Sequence, residues 1–163
     1  MTLVLGIDPG TATIGYGVVR ELNDGSLQAI DFGVIKTYPK DVMWDRLNII
    51  YSELTRIIKQ HQPDRAAVEE LFFAKNVTTA ITVAQGRGVI LLALAQADLQ
   101  IAEYKPNQVK QSITGYGGAG KPQMQEMVRA LLGLEEIPKP DDAADALGIA
   151  ITDIHSMHYT SLY

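Results

Sequence analysis

Cysteine is absent from all 163 residues, which excludes disulfides, thiolate catalysis and cysteine-ligated zinc. No apolar run reaches the length needed to cross a membrane. The start, MTLVLGIDPG, has no basic segment ahead of its apolar run, so neither a signal peptide nor a membrane partner is expected, and the expected location is the cytoplasm. An excess of positive charge is also missing. Fourteen Lys and Arg stand against nineteen Asp and Glu, a net charge of -5 that by itself argues against a nucleic-acid partner. Repeats, low-complexity tracts and linkers are lacking, so one domain over 1–158 is expected, with a frayed tail at 159–163. What the chain does have is 47% hydrophobic and 20% charged residues, the make-up of a globular protein with a full core.

Leu3–Asp8 is a short apolar run closed by Asp-Pro-Gly, which predicts a buried strand and a turn. Ile14–Arg20 and Leu27–Lys36 are the next predicted strands, joined by the hairpin signal Asn23-Asp24-Gly25 into an antiparallel meander. Leu47, Ile50, Tyr51, Leu54, Ile57 and Ile58 recur at helical spacing within about 41–61, and Gln62-Pro63-Asp64 ends that helix. Arg65–Glu69 then predicts a strand parallel to the first. A long helix follows over Asn76–Ala97, apolar on more than one face, which predicts burial all round or a second copy of the chain against its outer side. Strand Gln100–Tyr104, a short helix from Pro106, the loop Gly115–Gly120, helix Lys121–Leu132 and a last helix over Asp142–Met157 complete the chain. This order predicts an α/β fold with a five-stranded mixed sheet flanked by helices on both faces.

Acidic residues stand where this scheme places strand ends and a helix start. Asp8 closes the first strand, where ligands of open α/β sheets gather. Glu69 and Glu70 close the fourth, and since strand neighbours point to opposite faces, at most one of them faces a common site. Asp142 and Asp145 share a helix face at i, i+3 spacing, where two carboxylates repel unless a cation or a proton intervenes. Asp141 needs no such partner, because an acid in a first helical turn is stabilised by the helix dipole. Carboxylates gathered at one sheet end are costly without a divalent cation, and magnesium so held points to phosphate chemistry.

That chemistry gives the remaining candidate residues a use. Phe72 and Phe73, with Lys75 and Asn76 behind them, suit a base-stacking wedge. Lys110 and Lys121 flank the glycine-rich loop; GYGGAGK lacks the spacing of a phosphate-binding P-loop. From Leu71 to Pro140 the basic residues Lys75, Arg87, Lys105, Lys110, Lys121, Arg129 and Lys139 outnumber Asp98, Glu103, Glu126, Glu135 and Glu136, so a local positive surface is available despite the net charge. His61, His155 and His158 read as surface or helix-end residues, and Trp44 as packing.

Five segments, in this order, carry a resemblance to the RuvC family of Holliday junction resolvases, within the ribonuclease H-like superfamily. They are LGIDPGTATIGYGVV from Leu5, AVEELFFAKN from Ala67, QGRG from Gln85, NQVKQSITGYGGAGK from Asn107 and DDAADALGIAI from Asp141. The resemblance covers nearly the whole chain. It implies paired, symmetric nicking of four-way DNA junctions with two magnesium ions, or manganese, leaving 5′-phosphate and 3′-hydroxyl ends, in recombination and repair. It implies Asp8, Glu69 rather than Glu70, Asp142 and Asp145 as catalytic metal ligands, and Phe72 as the ring that stacks at the junction. Lys110 and Lys121 match the family's functional lysines; Phe73, Lys75, Asn76 and Arg87, within the same segments, are further expected DNA contacts. It also implies a homodimer through the long helix and a branch-migration helicase as partner. Two alternatives are an actin-like or sugar-kinase-like ATPase, because Asp8-Pro9-Gly10-Thr11 resembles that phosphate-binding hairpin, and a junction-binding protein without catalysis.

Overall fold

The computed structural model describes residues 1–70 and 77–162. Its elements, in chain order, are β1 (Thr2–Asp8), β2 (Thr13–Glu21), β3 (Leu27–Lys36), α1 (Met43–His61), β4 (Arg65–Glu69), α2 (Val77–Gln96), β5 (Gln100–Tyr104), α3 (Pro106–Thr114), α4 (Lys121–Leu131) and α5 (Asp141–Thr160). One sheet has the order β3-β2-β1-β4-β5, with β1–β2 and β2–β3 antiparallel and β1–β4 and β4–β5 parallel. This is the expected mixed sheet. The crossover through α1 that returns the chain to β4 makes β4 parallel to β1, as strand-helix-strand connections do.

The period of two along the strands sorts the core into two layers. Leu3, Leu5 and Ile7 of β1 and Ala66 and Val68 of β4 pack with Ile50, Leu54 and Ile57 of α1 and Ile90 and Leu94 of α2. Val4 and Ala67 lie on the opposite face with Val109, Val128, Leu147, Ile151 and Ile154 of α3, α4 and α5. Asp8 shares the parity of Val4, and Glu69 that of Ala67. Both functional candidates therefore belong to the face covered by α5.

Gly6 and Gly15 let α5 lie directly on that face. A Cβ at Gly15 would stand 1.9 Å from the Asp142 carbonyl oxygen, and one at Gly6 would stand 2.1 Å from that of Ala146. Such contacts are prohibited for any other residue, so the α5 backbone sits on the sheet at a distance that only glycine permits. Farther along α5, the fully buried Asp153 clamps the helix to β4 and β5. It accepts hydrogen bonds from Arg65 at 2.5 and 3.0 Å and from the Tyr104 hydroxyl at 2.7 Å. A carboxylate so paired and hydrogen-bonded fixes register, because breaking one partner leaves a buried charge.

Three expectations change. Trp44 does not pack: it is 73% exposed at the start of α1. The last helix runs three residues beyond Met157, so Tyr159 and Thr160 are helical. The third concerns α2, which is long and apolar enough to cross a membrane by length and composition, a run that the sequence reading did not recognise. Nor is α2 buried all round. Ala80, Gly86, Ile90, Ala93 and Leu94 face the core, whereas Ile81, Ala84, Gly88, Leu92 and Ala95 are exposed along the other side. Arg87, near its middle, pairs with Glu103 of β5 at 2.7 Å.

Candidate active site

At the carboxyl edge of the sheet, β1 ends at Asp8 and β4 at Glu69, side by side in parallel register. The amino end of α5 reaches this edge because its backbone rests on Gly15, the β2 residue paired with Asp8. One carboxylate oxygen from each of Asp8, Asp142 and Asp145 lies within 4.8 Å of the others, a spacing suited to a shared metal ion. Glu69 lies outside that 4.8 Å group but is coupled to it electrostatically, since its charge acts on Asp8 and the charge of Asp145 acts on it. Residues separated by more than 130 positions thus meet at one point. Strand parity explains the choice between neighbours: Glu69 turns to the α5 face, while Glu70 lies past the strand and donates its backbone N–H to the Tyr104 carbonyl.

The cluster is poor in counter-charge. Burial, then repulsion from Asp145, Glu69 and Asp142, raises the Asp8 carboxyl from 3.8 to about 8. A hydrogen bond shared with Asp142 acts in the same direction. Burial and Asp145 raise Glu69 to about 7, against the opposing pull of the Lys110 charge. Asp145 is also pushed up, by burial first, with Lys121 opposing. At neutral pH such a cluster holds protons that a divalent cation would replace. The donors are all hard carboxylate oxygens, without nitrogen or sulfur, which fits magnesium or manganese rather than zinc.

Lys121, at the start of α4, lies 3.3 Å from Asp141 and 3.8 Å from Asp145. Asp141 also accepts from the Gln125 side chain at 3.0 Å. It is therefore held by neighbours on α4 and serves as no cap to α5, whose amino end has no side-chain capping bond. Lys110 and Lys121 both approach the carboxylates, one acting on Glu69 and the other on Asp145. The Arg87 side chain is 13% exposed and paired with Glu103 of β5. Phe72, Phe73, Lys75 and Asn76 lie outside the described residues. Sequence reasoning missed the glycine platform and the Asp153 clamp. The glycines had a readable signal, since alternate Gly15 and Gly17 inside a strand mark close backbone approach; Asp153, inside an apolar helix, had none.

The family model of the crossover junction endodeoxyribonuclease RuvC matches residues 4–153. The RuvC of Chloroflexus aurantiacus is 61% identical over 147 residues, covering 90% of this chain and 89% of that protein. The RuvC of Heliobacterium modesticaldum is 55% identical over 155 residues, covering 95% of each. Among solved structures, Thermus thermophilus RuvC in complex with a Holliday junction substrate is similar with a TM-score of 0.93 and 34% identity, over 99% of this chain and 98% of that one.

Proposed function

The chain belongs to the family of the crossover junction endodeoxyribonuclease RuvC, and from that membership we propose how its own residues carry out the family's reaction. It is a nuclease of ribonuclease H-like fold that resolves Holliday junctions. Asp8, Glu69, Asp142 and Asp145 would hold two divalent ions, magnesium or manganese. When bound, these supply an activated water and stabilise the charge that develops on the leaving 3′-oxygen. The observation that carries this reading is the convergence of Asp8, Asp142 and Asp145 within 4.8 Å, with Glu69 electrostatically coupled to Asp8 and Asp145.

The protein's own groups set up the attack. Asp8 and Glu69 hold protons in the metal-free site and give them up to become ligands. The α5 backbone on Gly15 fixes the distance between Asp142 and Asp8. Lys121 offsets the charge of Asp145 and Asp141 and, with Lys110, is positioned to receive the phosphates flanking the scissile bond. Contacts of this kind make junction binding fall steeply with salt. Phe72, which follows β4 closely in the chain, is assigned to the unstacked base at the crossover.

The functional unit is a homodimer joined through the outer face of α2. Ile81 is 56% and Leu92 51% exposed on this face, and Gly88 between them has open space where a side chain would project. An apolar helix face of this length is better covered by its own copy than by water, and twofold symmetry presents two sites to two strands. A charge there should separate the subunits. Leu92→Glu is expected to sediment as a monomer at concentrations where the wild type is a dimer, and to nick junctions singly; an unchanged dimer would exclude α2 as the interface. A branch-migration helicase supplies the substrate in this reading.

The deciding experiment is magnesium-dependent nicking of a synthetic four-way junction beside a linear duplex of the same sequence. Paired, symmetric nicks confined to the junction are expected, with ends that a ligase seals directly. Binding without nicking under any divalent ion would favour a non-catalytic junction protein.

A further inference from the structure

The turn Pro9–Ala12 connects β1 to β2 and carries Asp8 at its mouth. Its central residue is buried: Thr11 is 5% exposed, as are Thr37 at 3% and Arg46 at 7%. These three side chains link α1, the residue after β3, the β1–β2 turn and α2 by hydrogen bonds. The Arg46 Nε–H of α1 donates to the Thr37 hydroxyl at 3.0 Å. The Thr37 hydroxyl donates to the Thr11 carbonyl, and the Thr11 hydroxyl donates to the Thr82 carbonyl of α2. The Thr37 N–H closes the turn on Ala12 at 2.9 Å. A guanidinium can only donate and a backbone carbonyl can only accept, so the direction of each of these bonds is set. Beside it, the Gly10 carbonyl rests on Gly86 of α2, where a Cβ would lie 2.5 Å from the Gly10 oxygen and 3.3 Å from Thr11 Oγ1.

We propose that Thr11 is a positioning residue for the nuclease reaction: its hydroxyl, with the space left by Gly86, locks the turn that carries Asp8 onto α2. Asp142 and Asp145 are set from one side by α5 on the glycines of the sheet. Asp8 is set from the other side by the 20-residue helix α2, on which its turn rests. None of these three hydrogen bonds involves a carboxylate of the cluster. Together they govern where one ligand stands relative to the other two, and outer partners of this kind are worth about 10–100-fold in metal affinity or activity. The inference rests on the reading of Asp8 as a metal ligand.

The test uses the full chain with Mn2+ as the probe, titrated calorimetrically in the absence of DNA, alongside nicking at saturating junction. Thr11→Val keeps the shape of the side chain and removes its donor. It is expected to weaken Mn2+ binding by about 10–100-fold and to slow nicking by a similar factor, with junction affinity in EDTA unchanged. Thr11→Ser restores the donor and is expected to stay within about threefold of wild type for both. Gly86→Ala should displace the Gly10 carbonyl and act in the direction of Thr11→Val; if Thr11→Val does not fold, Gly86→Ala carries the same expectation. Folded Thr11→Val or Gly86→Ala with wild-type Mn2+ affinity overturns the proposal, as does a Thr11→Ser no better than Val. Wild-type Mn2+ binding by Asp8→Asn would instead remove the underlying site reading, so the two failures are distinct.

Discussion

Asp8→Asn is expected to lower the nicking rate on a four-way junction by at least about 10⁴-fold, with a change in junction dissociation constant below about threefold. Asp8 is the residue on which the other carboxylates converge: Asp145, Glu69 and Asp142 all act on it, and Asp142 shares a hydrogen bond with it. Asparagine keeps the shape and removes the charge that a divalent ion needs. DNA affinity draws on phosphate contacts from basic side chains, which the substitution leaves in place. The measurement is single-turnover nicking paired with binding in EDTA. A variant that still cuts at a tenth of the wild-type rate would show that Asp8 is no metal ligand, whatever its neighbours.

The second large effect concerns stability. The Asp8 carboxyl rises from 3.8 to about 8 and that of Glu69 from 4.5 to about 7. Between those limits the folded chain keeps protons that the unfolded chain has released. Stability from these groups is therefore complete below about pH 4 and is lost as pH climbs through 7 and 8. Magnesium replaces the protons and removes the repulsion, so it should raise the melting temperature far more at pH 8.5 than at pH 5.5. The gap between those increments is expected to be about 3 °C or more.

Scanning calorimetry with and without magnesium checks this. The Asp8→Asn variant serves as the reference, because it keeps the unrelated groups. Among these is His155, which burial pushes down and which contributes in the opposite sense below its ordinary value of 6.5. Metal-free Asp8→Asn should be the more stable protein at pH 8.5. A magnesium increment that is flat with pH in the wild type would mean that the carboxylates do not carry these protons.

Much of this site was legible because its determinants are local. A short, continuously apolar run ending in Asp-Pro-Gly places Asp8 at a strand end, and i, i+3 spacing places Asp142 with Asp145. The expectation of Glu69 rather than Glu70 rested on resemblance; in the structure Glu69 shares the parity of Ala67, which packs on the α5 side. The helix α2 could be recognised by composition, but not the side it exposes. Trp44 was misplaced for the same reason, since an aromatic in an amphipathic segment looks the same whether or not something covers it.

The order of strands and helices and the presence of acidic residues at strand ends and at a helix start were determined by the sequence itself, because backbone period and charge are properties of a few adjacent residues. The closeness of α5 to Gly6 and Gly15, the clamp of Asp153 on Arg65 and Tyr104, and the seating of the Asp8 turn on α2 were decided only in the tertiary structure. Each depends on a distance between elements far apart in the chain. Such a distance is set by the side chains that are missing, small or buried at the contact, and no period along the chain records it.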